Sequence, residues 1–179
     1  MAENETTPGS DARRLRAQAL MDSGRVLSNS GRFAEALAMV EQAIAAYPAY
    51  DRPRLAKAFV LAKVGRIDDA LAMVDDFLSR HADNAYAHTT RGTCLMEAGR
   101  DAEAEKEFRE GVRLGGADYI HAYNYACFLA QQGREEETRE MLGRALGMGP
   151  QMNARAATDA DLERYRETEW FQELVAFKR

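Results

Sequence analysis

The sequence reads Gly31-Arg32, and the same dipeptide returns at Gly65-Arg66, Gly99-Arg100 and Gly133-Arg134, each time 34 residues further on. Gly-Arg occurs only six times in the 179 residues, so three successive returns at one spacing are improbable by chance. A period of about 20 to 50 residues is the signature of stacked repeats, and about 34 is the length of a helix–turn–helix unit. The spacing therefore predicts an all-α chain of stacked helix pairs.

Each of these glycines divides its unit into two segments with helical periodicity. After Gly31, for example, apolar residues follow at i, i+4, i+7 and i+8, which is one face of a helix. Glycine suits the turn because it adopts left-handed backbone angles without a steric penalty. We expect a disordered tail over 1–10, a first helix that begins near Asp11 with Ser10 as its cap, and repeats over 11–152. The predicted units are 17–50, 51–84, 85–118 and 119–152, followed by capping helices over 153–179.

Composition narrows the class of protein. The net charge of −5 and the pI near 5.3 disfavour a nucleic-acid binder, which is usually basic on one face. No apolar run reaches the roughly 20 residues that span a bilayer, so no membrane association is expected. The N-terminus lacks the basic and apolar regions of a signal peptide, which favours a cytoplasmic location. Two cysteines, Cys94 and Cys127, are expected to be small buried residues rather than a disulfide.

No catalytic or phosphate-binding motif occurs in the sequence, and we therefore predict a protein that is not an enzyme and has no cofactor. The nearest candidate for chemistry is a repeated His-x5-Cys, at His88 with Cys94 and at His121 with Cys127. Six residues along a helix turn the side chain by about 240°, so neither pair converges on one ligand and no metal site is predicted. We expect His88 to be a packing or groove residue, His121 a surface residue and His81 a loop residue.

Carboxylates concentrate in the second helix of each unit, where we expect a solvated outer face. They lack the partners and the desolvation that general acid–base chemistry needs. Acidic residues near a helix start also suit the helix dipole. The set comprises Asp68, Asp69, Asp75, Asp76, Glu103, Glu105, Glu107, Glu110 and Glu135 to Glu137.

Small residues recur where two helices of a unit would cross. They are Gly24, Ala58, Gly92 and Ala126 in the first helices, and Ala36, Ala70 and Ala104 in the second. With the turn glycines and with Pro48 and Pro150 at unit ends, this pattern resembles the tetratricopeptide-repeat family over about residues 17–152. The resemblance implies a right-handed α-solenoid of four units followed by capping helices.

The C-terminal part carries a second resemblance. Tyr123-Asn124-Tyr125-Ala126-Cys127 and, later, Asp159-Ala160-Asp161-Leu162 are similar to the segment that ends many bacterial tetratricopeptide arrays. A stack must cover its last apolar face, and terminal units are therefore atypical. Asp159 or Asp161 can cap a short helix, and Leu162, Phe171 and Leu174 can seal the edge. Trp170 either assists the seal or is a partly exposed aromatic residue.

The resemblance also implies a function, because the first helices of this family line a concave, partner-binding surface. It places these residues in that groove: Arg25, Arg52, Lys63, Thr89, Thr93, Tyr123, Asn124 and Cys127. The cations among them favour an acidic partner segment, although they can equally be scattered surface residues. We expect an adaptor that binds a partner peptide or helix, as a monomer or weak homo-oligomer. The alternative is an assembly protein that self-associates through its edges or C-terminal helix.

Overall fold

The computed structural model describes residues 8–176, and these residues form helices joined by turns, without a β-strand. The four helix pairs are α1 (Pro8–Asn29) and α2 (Phe33–Ala46), α3 (Arg52–Lys63) and α4 (Ile67–Arg80), α5 (Ala85–Glu97) and α6 (Asp101–Gly115), α7 (Tyr119–Gln131) and α8 (Glu135–Met148). After them come two 3-10 helices, Pro150–Met152 and Ala160–Tyr165, with α9 (Asn153–Ala156) between them and α10 (Glu169–Val175) last. The predicted all-α fold of helix pairs is confirmed.

Each Gly-Arg turn lies between the two helices of a pair and uses a conformation that glycine permits. Gly99 has a φ of 69°, and the N–H of Arg100 donates to the carbonyl of Leu95 at 2.9 Å. In this Schellman arrangement, a left-handed residue turns the chain back so that it satisfies a carbonyl of the last helical turn. The other three turns repeat both features, with φ values of 71°, 83° and 72° at Gly31, Gly65 and Gly133.

The arginine of each turn starts the following helix. The carbonyl of Arg100 accepts the N–H of Ala104 at 2.9 Å, and its guanidinium pairs with Glu103 at 2.7 Å. The same pairing with an acid three residues later occurs at Arg32–Glu35, Arg66–Asp69 and Arg134–Glu137. Because these ion pairs are largely exposed, they contribute little to stability. The acidic residue lies in the first turn of its helix, where the helix dipole favours it.

Helix α1 begins earlier than the sequence predicted. It starts at Pro8 rather than Asp11, so Ser10 lies within the helix instead of capping it. Proline suits the first helical turn, because the N–H that it lacks has no partner there. The remainder of the predicted tail, residues 1–7, lies outside the described residues.

The chain divides into two compact units, and the first ends at Ser79. In this unit α1 and α2 pack on each other and both contact α3. The predicted close approach of helices occurs at Gly24, where an added Cβ would lie 2.9 Å from Cγ2 of Val40. The core consists of small and branched side chains that include Ala36, Val40, Ala43, Ala58, Leu61, Ala70 and Val74.

The second unit begins at Arg80 and includes the C-terminal segment. Here α5 packs on α6, α7 on α8, and the 3-10 helix Ala160–Tyr165 on α7. Leu162 and Phe171, which were expected to seal the edge, are 0% and 1% exposed and share one apolar cluster with Tyr123 and Leu142. Of the two candidate caps, Asp159 is the N-cap, because its side chain accepts the N–H of Asp161.

Candidate functional site

The first unit carries three of the predicted groove residues, all cationic. Arg25 is exposed on α1, where its Nε lies 3.9 Å from a carboxylate oxygen of Asp22. Arg52 is exposed at the start of α3, whereas Lys63 is half-buried at its end, with Nζ 5.9 Å from the centroid of the Phe59 ring. At about 1.5 Å per helical residue, Arg52 and Lys63 lie about 16 Å apart along α3. The cations are therefore spread along the two helices rather than gathered in one cluster.

Two predicted groove residues on α5 are buried instead. Thr89 and Thr93 are each 4% exposed. The Thr89 hydroxyl oxygen lies 2.8 Å from Nδ1 of His121 on α7, and the Thr93 hydroxyl donates to the Thr89 carbonyl at 3.1 Å. The expectation that both threonines face a groove is corrected, because α7 packs against this face of α5.

His121 was expected at the surface, and that prediction is wrong, since only 2% of it is exposed. Its ring meets the Tyr86 ring at an edge, with centroids 4.7 Å apart, and the Tyr86 hydroxyl donates to the carboxylate of Asp118. Burial lowers the pKa of His121 below the ordinary value for histidine, although the charge of Asp118 opposes this shift. The prediction failed because α7 is packed against α5, α6, α8 and the C-terminal segment, which leaves it little exposed face.

The C-terminal segment covers the predicted groove face of α7. Tyr123 is fully buried; its hydroxyl donates to Oδ2 of Asp159 at 2.8 Å, and the Arg155 guanidinium lies 5.2 Å from its ring centroid. Burial raises the pKa of Tyr123 well above its ordinary value. Cys127 is 6% exposed in the same apolar cluster. The expectation that Tyr123 and Cys127 line an open groove is corrected, whereas Asn124 is half-buried and keeps some exposed surface.

One group of side chains has the spacing of possible metal ligands. The Cys127 sulfur and carboxylate oxygens of Asp159 and Asp161 lie within 4.8 Å of one another. Asp159, however, already accepts the Tyr123 hydroxyl and lies 3.5 Å from the Arg155 Nε, so protein groups compensate its charge. We interpret the group as part of the attachment of the C-terminal segment to α7.

Glu105 on α6 departs from the predicted solvated outer face. Its Oε1 accepts from Arg109 at 2.7 Å, from Arg134 at 2.8 Å and from the Tyr125 hydroxyl at 3.0 Å. Burial acts to raise the pKa of Glu105, but the three hydrogen bonds outweigh burial, and the pKa is lowered. This carboxylate thus links α6 to α7 and to the turn that begins α8.

Glu107 also joins two helices rather than facing solvent. Its carboxylate contacts Nδ1 of His88 and Nη1 of Arg91, each at 2.7 Å, across the α5–α6 pair. The other ring nitrogen of His88 lies 2.8 Å from the carbonyl of Ala82. His88 is therefore a packing residue, which was one of the two roles expected for it. The acidic face was overestimated because Arg91 of α5 reaches Glu107 and Arg134 of the turn before α8 reaches Glu105.

Trp170 packs within its own chain. Its ring lies 5.4 Å from that of Tyr165 and 5.7 Å from that of Phe171, and its indole N–H donates to Glu135 at 2.8 Å. The sequence left two roles open for Trp170, sealing the edge or lying partly exposed, and this arrangement corresponds to sealing. A cleft of about 660 Å³ lies beside it, lined by residues that include Arg139, Gly143, Gly147, Asn153, Glu173 and Leu174.

Sequence reasoning missed the polar contacts that join a first helix to the next first helix or to the residues just before it. All three join residues 32 positions apart, slightly less than one repeat: Gln18–Tyr50, Tyr86–Asp118 and Thr89–His121. A search for polar pairs at that spacing is a signal that could have found them. It also would have indicated that Thr89 and His121 face each other rather than solvent.

The comparisons with known proteins bear on the family of the chain. A family model described as tetratricopeptide repeat matches residues 29–92, from the end of α1 into α5. No curated protein matches the sequence. Within residues 8–176, no helix has both the length and the apolar character required to cross a bilayer.

Several solved structures have a similar fold. A thermophilic tetratricopeptide-repeat protein of Thermus thermophilus is 16% identical, with 89% of this chain and 86% of that one covered and a TM-score of 0.64. MamA is 15% identical, with coverages of 85% and 87% and a TM-score of 0.54. A MamA fragment from Desulfovibrio magneticus RS-1 is 14% identical, with coverages of 75% and 76% and a TM-score of 0.50. At such identities the likeness concerns the fold alone.

Proposed function

Because the chain is a tetratricopeptide-repeat protein, we propose that it binds an acidic segment of a partner protein on the first helices of its first unit, without catalysing a reaction. The fold is that of a protein–protein interaction module. The observation that carries the finer proposal is the exposure of Arg25 on α1 and of Arg52 on α3, two first helices that contact each other.

The charges of the first unit support an acidic partner. Four aspartates of α4, the second helix of its pair, are exposed: Asp68, Asp69, Asp75 and Asp76. The exposed cations Arg25 and Arg52 lie on the first helices instead. A segment with carboxylates is attracted by the cations on the first helices and repelled by the aspartates of α4. Such complementarity of charge selects the partner and its orientation.

The ion pair of Arg25 does not prevent this role. Its guanidinium and the carboxylate of Asp22 are 60% and 50% exposed and separated by 3.9 Å. A pair so exposed and so long is weak, because water screens both charges. An incoming carboxylate can therefore replace Asp22 as the partner of Arg25 at little cost.

The candidates of the second unit are considered by themselves. Of its five candidates, Asn124 alone is not buried, and its amide can both donate and accept hydrogen bonds from a peptide backbone. Asn124 is thus the one candidate of this unit that a partner can reach, and the proposed surface is confined to the first unit. Thr89, Thr93, Tyr123 and Cys127 act through packing within the second unit.

The test is affinity capture from native lysate with the full chain and the double variant Arg25→Glu, Arg52→Glu. The matched control is Arg139→Glu, a charge reversal at an exposed arginine on α8. The proposal expects that proteins captured by the wild type and by the control are depleted about tenfold or more with the double variant. The depleted proteins are expected to share an acidic segment, and their capture should weaken as salt increases. Identical capture profiles for all three proteins would reject the proposal.

Self-association remains the competing function, and Trp170 was its main motivation. The packing of Trp170 on Tyr165 and Phe171 provides an internal role for this side chain. Light scattering over a concentration series distinguishes the two functions. We expect a monomer mass throughout, whereas a dimer dissociated by Trp170→Ala would favour the assembly role.

A further inference from the structure

The exposed side of α1 carries an apolar stripe that the proposed groove does not use. Leu15 and Val26 are 68% and 58% exposed, and the described residues contain only one other exposed large apolar side chain, Val64. Ala12 and Ala19 are also exposed. At about 100° per residue, Ala12, Leu15, Ala19 and Val26 fall within an arc of about 60° that extends about 21 Å along the helix.

The stripe lies on the side of α1 opposite the core. Ala17 and Gly24, which are buried, fall about 180° to 200° from Leu15 around the helix. Gly24 approaches Val40 of α2, so that face is already used inside the unit. Large apolar side chains that are exposed together on one helix face mark a contact surface. An apolar stripe at this place indicates a contact beyond the described part of the chain.

The spacing of the stripe fits another helix. Ala12, Leu15, Ala19 and Val26 stand at i, i+3, i+7 and i+14, which are heptad a and d positions. An apolar stripe with heptad spacing can bind the apolar face of a second amphipathic helix. The intervening d position is Asp22, a half-buried residue that pairs with Arg25.

The charged residues beside the stripe indicate which charge the partner helix should carry. Arg14 and Arg16 are exposed next to Leu15, and the heptad e and g positions that flank the stripe carry Arg16 and Arg25 against Asp11. Over Pro8–Asn29, four arginines stand against two aspartates, although the whole chain has a net charge of −5. Two copies of α1 would each carry a net charge of +2 (four arginines minus two aspartates), so they repel each other overall. Glutamates at the flanking positions of a partner would instead form interhelical ion pairs.

We infer that the outer face of α1 is a second docking surface, and that it binds an acidic amphipathic helix of another protein along Ala12, Leu15, Ala19 and Val26. This surface shares α1 with the proposed groove, but it depends on Leu15 and Val26 and not on Arg52. The acidic chain as a whole repels an acidic peptide, so the local arginines must supply the attraction.

The test uses two fluorescein-labelled synthetic peptides of three heptads, with leucine at every a and d position. One has glutamate at e and g and the other has lysine there; like charges at these positions disfavour peptide self-association. Fluorescence anisotropy with the full chain is expected to give at least about tenfold tighter binding of the glutamate peptide. Leu15→Ser with Val26→Ser should weaken that binding about tenfold or more.

Three further variants locate the site. Val64→Ser removes the third exposed apolar side chain, outside α1, and should leave the affinity unchanged. Arg52→Glu in the proposed groove should have an equally small effect, which separates this inference from the groove proposal. Arg14→Glu with Arg16→Glu should reverse the preference to the lysine peptide. Circular dichroism checks that each variant keeps its helix content.

Several outcomes overturn the inference. One is equal affinity of the wild type for both peptides, or binding of neither. Another is an equal effect of Val64→Ser and of the Leu15, Val26 double variant. A third is a wild-type dimer in light scattering that the double variant dissociates, because the occupant would then be a second copy of this chain.

Discussion

The Thr89 hydroxyl and the His121 ring form a hydrogen bond of 2.8 Å inside the second unit, between two first helices that are one repeat apart. Both residues are nearly inaccessible, with 4% and 2% of their surface exposed. A buried polar pair is stable only while each member keeps its partner. This contact therefore couples the packing of α5 on α7 to the protonation state of one histidine.

The first prediction is that His121 makes stability depend on pH. Its pKa in the folded state is lowered by burial, so the unfolded chain binds the proton more readily. The contribution is fully present above the ordinary histidine pKa of about 6.5 and is lost as the pH falls through the folded-state value. Thermal melts between pH 7.5 and 5 should show a declining midpoint for the wild type and a flatter dependence for His121→Asn.

We compare the slope of the melting midpoint against pH rather than the absolute midpoint, because His121→Asn also changes the packing. The control is His81→Gln, a substitution at an exposed histidine, and it should keep the wild-type dependence. A wild-type midpoint that stays constant over this range would show that burial of His121 has no thermodynamic effect.

The second prediction concerns Glu105, whose pKa is lowered by hydrogen bonds and not, as for His121, by burial. The charged carboxylate is favoured by donors from Arg134, Tyr125 and Arg109, so its stabilisation is present above the unfolded-state pKa of about 4.3. It is lost as the pH falls through the folded-state value. Glu105→Gln should lower the free energy of unfolding by about 1–2 kcal/mol at pH 7, measured by urea denaturation.

Acid should reduce that difference, because the wild-type carboxyl is then neutral as well. Glu136→Gln on α8 is the matched control, since Glu136 is exposed, and its effect should be within about 0.5 kcal/mol. If Glu105→Gln behaved like this control at pH 7, the three hydrogen bonds would contribute nothing to stability.

The third prediction tests close packing in the first unit. Ala70 on α4 is fully buried, so Ala70→Leu forces extra atoms into a filled space and should cost about 1–3 kcal/mol. Ala72, two residues along the same helix, is exposed. Ala72→Leu should leave the unfolding midpoint nearly unchanged. Equal effects of the two substitutions would indicate that no tight crossing exists at Ala70.

The repeat turns could be predicted from sequence because their causes are local. The left-handed φ of Gly99 and the bond from Arg100 to Leu95 involve residues at most five positions apart. The same holds for the helix boundaries that follow each turn. The start of α1 at Pro8 was missed because Ser10 offered an equally plausible cap for a helix that begins at Asp11, and local signals alone do not choose between such alternatives.

The predicted groove was less accurate because exposure depends on distant residues. The family resemblance placed Tyr123 and Cys127 on the groove face of α7, but it did not indicate what covers that face. The cover is the C-terminal segment, where Asp159 stands 36 residues after Tyr123. Arg25 and Arg52, by contrast, are exposed on α1 and α3 of the first unit.

The fourth prediction is that the Tyr123 hydroxyl fastens the C-terminal segment to α7. Tyr123→Phe retains the buried ring but removes the donor to Asp159, a carboxylate whose side chain is 14% exposed. Loss of a hydrogen bond to a charged, largely buried group should cost about 1.5–3 kcal/mol. Tyr119→Phe, also on α7, is the matched control, because the Tyr119 hydroxyl makes no hydrogen bond within residues 8–176 that it would lose.

Limited proteolysis distinguishes a local effect from a global one. If the hydroxyl holds the segment, Tyr123→Phe should accelerate cleavage between residues 150 and 176 more than cleavage in α5 or α6, because a locally weakened element opens more often than the whole unit. Asp159→Asn should produce the same pattern, since it weakens the acceptor of the same bond. Uniform acceleration along the second unit would instead assign Tyr123 to the general stability of the core, and an unchanged pattern would show that the hydrogen bond does not hold the segment in place.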